Sequence, residues 1–116
     1  MRLRDIGTPF IHDSKIQDYL LNVSHPTGRS KARFFLSFGY TIEKWERLKS
    51  DLLAHADNFD ISIINENRFG TRYIIDCRIA SPDGCNPRIR TAWIVTEDMP
   101  RPRLITAHPI QKRDEP

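Results

Sequence analysis

Long apolar runs, glycine-rich phosphate loops and metal-ligand spacings are all missing from this 116-residue chain. No stretch approaches the ~20 consecutive apolar residues that a membrane-spanning helix needs, so no membrane segment is expected. The opening residues MRLRDIGTPF contain no apolar core of the kind export signals carry, and a cytoplasmic location is expected. Cysteine is scarce: Cys77 and Cys85 flank one turn. A disulfide across it is conceivable, but in a chain with no secretory signal both thiols are expected to stay reduced. Two cysteines are too few for a zinc site unless histidines join them. There is no CxxC, no HExxH and no carboxylate pair suited to glycoside hydrolysis, so neither a metal nor a cofactor is expected.

What the chain does hold is ordinary in bulk and lopsided in detail. Apolar residues make up 39% of it, enough for one core and one domain. The net charge is only +3, but thirteen of the eighteen cationic residues are arginine. Arginine presents a planar fork of donors that matches phosphate and carboxylate. Arg88, Arg90, Arg101 and Arg103 crowd the last third, which favours an anionic partner, either RNA or an acidic inhibitor protein. Any one of these arginines, taken alone, reads as a solvated surface residue.

Residues 1–13 show no periodicity and read as an arm or edge segment. A short helix is expected over 14–21, with Ser14 and Gln17 at capping-box spacing and Ile16, Tyr19 and Leu20 on one face. Pro26 closes it off. A second helix over 29–37 turns Ala32, Phe35 and Leu36 inward and stops at Gly39. A third runs from the N-cap Thr41 to about Ala56, with an apolar stripe of Ile42, Trp45, Leu48, Leu52 and Leu53 and a Glu43/Arg47 pair outside.

The period then changes. Strands are expected at 61–64, 72–80, 88–95 and 103–108, the last two separated by a proline-bearing loop. The whole is α+β, with N-terminal helices packed on one face of a four-stranded antiparallel sheet, a meander. The domain spans 14–109, and 110–116 is a polar tail. Alternation groups Ile89, Thr91, Trp93 and Val95 against Arg88, Arg90, Ala92 and Ile94, and groups Leu104 with Thr106 and His108. Both faces carry apolar residues, so alternation leaves open which is buried.

Three constellations bear polar chemistry. His25-Pro26-Thr27-Gly28-Arg29-Ser30-Lys31 places an imidazole, a hydroxyl and cations at a helix start, where free N–H groups and the dipole favour an anion. Read structurally, the same loop is a rigid turn with Ser30 as N-cap. The segments Arg90-Thr91-Ala92-Trp93 and Arg103 to His108 each read first as strand, with Trp93 in the core. His12 and His55 look incidental.

These residues also resemble a known family. The segments Lys15-Ile16-x-x-Tyr19-Leu20-Leu21, His25-Pro26-x-Gly28-x-Ser30-Lys31-Ala32-x-Phe34-Phe35, Gly39-Tyr40 and Trp45 are similar to a bacterial domain family of unknown function, number 6883. So are Phe69-Gly70-x-x-Tyr73, Pro82-x-Gly84, Arg90-Thr91-x-Trp93 and Pro102 to Pro109, over about residues 15–109. The resemblance implies a free-standing protein or a module of polymorphic toxins, controlled by a small acidic immunity or antitoxin protein. The element order also resembles the barnase/EndoU/colicin D/RelE ribonucleases. Where many relatives hold Tyr or another residue between Ala107 and Pro109, this chain has His108.

The function expected on this basis is a toxin-type, metal-independent ribonuclease acting on RNA. His25 would move protons, Lys31 with Arg90 would neutralise the phosphorane, and Thr91 and Thr106 would donate to phosphate oxygens. Trp93 would stack on a base, with Ser30, Arg29, Arg103 and His108 lining the substrate. This requires the His25 loop to lie over the sheet face that carries Thr91. The alternative is a non-catalytic protein-binding module of a two-gene operon pair, and a third reading is RNA binding without cleavage.

Overall fold

The computed structural model describes residues 1–110. A 3-10 turn (Leu3–Asp5) and three helices precede four strands: α1 (Asp13–Lys15), continued by a π-turn (Ile16–Leu20), then α2 (Arg29–Ser37), α3 (Trp45–Asn58), β1 (Ile63–Asn67), β2 (Gly70–Arg78), β3 (Arg88–Thr96) and β4 (Met99–Pro109). The strands form one antiparallel sheet in sequence order, the expected α+β meander.

The inner face of the sheet carries Tyr73, Ile75, Ile89, Thr91, Trp93, Leu104 and Ala107, which pack with Ile16, Leu20, Phe35, Leu48 and Leu52 from the helices. Trp93 sits fully enclosed at the centre. Truncating such a residue to alanine typically costs about 3–5 kcal/mol, so it anchors the helices to the sheet.

Several boundaries differ from expectation for identifiable reasons. The backbone N–H of Ile61 donates to Met1 O (2.8 Å) and that of Ser62 to Ile74 O (2.7 Å), so Ile61 is turned to the N-terminal segment and β1 runs from Ile63. Strand β4 begins four residues early, at Met99, and takes in Pro100 and Pro102. An outer strand tolerates proline because one row of its N–H groups has no ladder partner to lose. Residues 1–13 run along that outer edge: Phe10 N–H donates to Pro102 O (2.9 Å), Leu104 N–H donates to Phe10 O (3.2 Å), and Leu3 and Ile11 are buried. The tail beyond Ile110 lies outside the described residues.

The helix caps also differ. Ser14 lies inside α1 and makes no cap. Thr41 accepts from Lys44 N–H (3.2 Å), which closes a turn ahead of α3 rather than capping the helix itself. Ile42 is thereby left exposed outside the stripe. Arg47 pairs with Asp51, not Glu43. Gly39 ends α2 at φ +99°, a left-handed conformation that a side chain resists. His55 is not incidental. It is buried on α3, and its Nε2–H donates to Cys77 O (3.2 Å), tying α3 to β2. Cys77 and Cys85 are both free thiols.

Candidate active site at the outer strand

The first helix does not close as an α-helix. Leu21 N–H reaches back five residues to Ile16 O (2.9 Å), and this wider turn is of a kind often found at functional positions. It lets Ile16, Leu20 and Leu21 all enter the core while Tyr19 stays half-buried beside them.

The chain then doubles back against Tyr19. A Cβ on Gly28 would lie 2.7 Å from both Tyr19 Cδ1 and Tyr19 O. Gly28 has φ −93°, which any residue adopts, so the need for glycine here is contact rather than conformation. The His25 ring meets the Tyr19 ring edge-on, with centroids 5.0 Å apart. His25 Nδ1 accepts from Thr27 N–H (3.1 Å) and Gly28 N–H (2.9 Å), so it takes the capping role expected of Ser30. Two N–H donors on Nδ1 place the neutral ring's proton on Nε2. His25 therefore offers a hydrogen-bond donor outward, not a free base, which revises its expected role.

Cations complete the cluster. Lys15 Nζ lies 5.0 Å and Lys31 Nζ 5.5 Å from the Tyr19 ring centroid, within cation–π range. Among the described residues neither lysine forms an ion pair. Burial acts to raise the Tyr19 phenol, but the Thr106 hydroxyl and the Lys31 and Lys15 ammonium groups outweigh it, and the net shift is downward. Thr106 Oγ1 is itself shielded from solvent and has no well-formed hydrogen bond among the described residues. A groove of about 520 Å³ adjoins the cluster, lined by His12, Lys15, Ile94 and Arg103 among others. Lys15 belongs to both cluster and groove.

Thr106 joins this cluster through a β-bulge. Trp93 pairs with Leu104 but Ala92 pairs with Thr106, so Ile105 is the extra residue. One extra residue inverts the alternation, which places Leu104 and Thr106 on opposite faces instead of together. Thr91 and Trp93 keep their expected common face, but it is the helix-facing one. Both are fully buried, and Trp93 Nε1–H donates to Thr91 Oγ1 (3.0 Å). Burial removes Thr91 as a phosphate donor and Trp93 as a base-stacking platform.

The remaining candidates are scattered. Arg90 is held fork-on-fork by Asp76, at 2.8 Å through both nitrogens, a pair that neutralises the charge expected to assist Lys31. Arg103 lines the groove. Arg29 and Ser30 are exposed in the first turn of α2. His108 pairs with Arg90 on the outer face and donates Nδ1–H to Pro109 O (2.9 Å), which leaves Nε2 unprotonated in the neutral ring. From sequence, Tyr19 reads only as an inward-facing helix residue. The one local signal for more was Lys15 four residues before it, which puts a cation over the same helix face.

The profile of a family described as Domain of unknown function (DUF6883) matches residues 2–111. The chain belongs to this family. No curated protein is significantly similar to it. Among solved structures, it is similar to a chain of a contact-dependent growth inhibition toxin – immunity protein complex from Klebsiella pneumoniae 342, at 20% identity. The TM-score is 0.68, covering 93% of this chain and 98% of that one. At that identity the likeness is one of fold. Within this DUF6883 domain, no helix among the described residues is long and apolar enough to cross a membrane.

Proposed function

We propose that this domain is a toxin-type endoribonuclease, working without a metal and held in check by a cognate inhibitor protein. The observation that carries the reading is the convergence of Tyr19, His25, Lys31 and Thr106, from three separate stretches of chain, on one half-exposed spot beside a cationic groove. Two ammonium groups with no carboxylate paired to them suit an anionic ligand. Lys31 neutralises the charge that builds on phosphorus during transfer, His25 Nε2–H donates to a non-bridging oxygen, and the shielded Thr106 hydroxyl holds the Tyr19 phenol in place. Lys15 and Arg103 hold the flanking strand in the groove. The toxin setting comes from the toxin–immunity complex whose fold this domain shares and rests on that fold-level similarity.

Recombinant protein incubated with total tRNA in EDTA tests this reading. Site-specific cleavage is expected, and an inert wild type at micromolar concentration overturns it.

A non-catalytic partner-binding module has its own supporting observation. Strand β1 is exposed along its whole length, and Ile63, Ile64 and Phe69 present apolar surface on that free edge and its hairpin tip. On that reading a small acidic protein co-purifies and no RNA is cut.

A further inference from the structure

The geometry points to Tyr19 as the group that takes the 2′-hydroxyl proton in RNA cleavage, with Lys31 returning a proton to the leaving oxygen. This rests on the ribonuclease reading above and supplies the proton-transfer pair which that reading lacks.

His25 cannot serve as the base through Nδ1, which is occupied by the Thr27 and Gly28 N–H groups, and its Nε2 already carries the proton. Thr106 is a weak acid with no base beside it. No carboxylate acts on the Tyr19 phenol, whose polar neighbours are Thr106, Lys31 and Lys15. Tyr19 is the remaining oxygen acid at the spot. It is positioned by the π-turn and by close packing on Gly28, and it is flanked by the cations Lys15 on its own helix and Lys31 on α2. Two positive charges stabilise a phenolate, and the downward shift of its phenol agrees with that.

The Tyr19 phenolate takes the ribose 2′-OH proton as the O2′–P bond forms. The P–O5′ bond breaks, and the Lys31 ammonium protonates O5′. The products are a 2′,3′-cyclic phosphate and a 5′-hydroxyl. Transfer of the proton from Tyr19 to the neutral Lys31 amine through water restores both groups.

The test uses the full chain and tRNA in single-turnover cleavage, alongside tRNA binding by anisotropy. Tyr19→Phe preserves the ring against His25 and both lysines. It is expected to lower the rate by roughly 100-fold or more, the usual weight of general acid–base catalysis, with binding within about twofold. Replacing Tyr19 with 3-fluorotyrosine, whose phenol is more acidic, retains the hydroxyl and is expected to restore cleavage and move the rising limb of the pH–rate profile to lower pH. Among the groups facing that phenol, His25, Lys15 and Lys31 are titratable, and their substitution serves as control for the limb. Wild-type cleavage with Tyr19→Phe within about threefold overturns the role of Tyr19 while leaving the ribonuclease reading intact. The same holds if His108→Ala, and not Tyr19→Phe, abolishes the reaction. An inert wild type removes both. Products ending in a 3′-hydroxyl and a 5′-phosphate also overturn the proposed step.

Discussion

Tyr19 and Tyr40 both lie in the helical half of the chain, both pack against the core, and have opposite surroundings. Tyr40 is buried, and its hydroxyl donates to Asp51 Oδ2 (2.8 Å), which also takes Arg47 Nε–H (2.7 Å). Burial first, and the Asp51 carboxylate second, push its phenol far up, so the proton is locked in place. Tyr19 is half-exposed, has lysines in place of a carboxylate, and its phenol moves down. The residue type is identical. The sign of the neighbouring charge and the access of water make one tyrosine a structural strut and the other a candidate for chemistry.

The comparison can be broken at either end. The largest effect is expected at the cationic end. Lys31→Ala should reduce tRNA cleavage by about 100-fold or more while leaving the melting temperature nearly unchanged, because the ammonium is a partly exposed group without an ion pair. Cleavage kinetics beside a thermal melt separate the two. Gly28→Ala comes next. Its new Cβ meets the Tyr19 carbonyl at 2.7 Å, and backbone cannot swing aside as a side-chain tip can. A loss of about 1–3 kcal/mol in urea denaturation is expected, as for overpacked sites, together with reduced cleavage as Tyr19 is displaced.

At the other end, Tyr40→Phe deletes a hydrogen bond to a charged group and should cost about 1.5–3 kcal/mol in the same denaturation experiment, with cleavage per folded molecule unchanged. The smallest effect is on pH dependence. Burial holds the His55 imidazole below its ordinary 6.5, only partly offset by the Cys77 carbonyl and Asp76. The unfolded chain therefore binds the proton first as pH falls through 6.5, so this stability is present above that value and is lost below it. The melting temperature should drop between about pH 7.5 and 5.5, and His55→Gln should flatten that drop. An equal slope in both proteins would assign it to other groups.

Much of the architecture was legible because it depends on local periodicity. The second helix matches its expected span of 29–37, since one amphipathic stretch is bounded by Pro26 and Gly39. The faces of β3 were grouped correctly, because an unbulged strand alternates strictly. In β4 the same rule failed at Ile105. Nothing in Leu104-Ile105-Thr106 marks a bulge, which arises from the fit between two strands. The site was legible only in outline. Lys31 and His25 were singled out because a basic loop opens a helix. Tyr19 carries no such sequence signal, since an aromatic on an apolar helix face most often belongs to the core. Thr91 and Trp93 share a face by alternation, but alternation does not report which face the helices cover, and the helices bury both.

By itself, the order of residues along this chain determined the succession of helices and strands, the meander and the basic loop ahead of α2. Each of those follows from interactions spanning a few positions. Packing alone decided that a bulge would turn Thr106 away from Leu104, that Asp76 would claim Arg90, and that Lys15 and Lys31 would gather on the Tyr19 ring. Those outcomes depend on side chains brought together across long sequence separations, where charge and burial act through space.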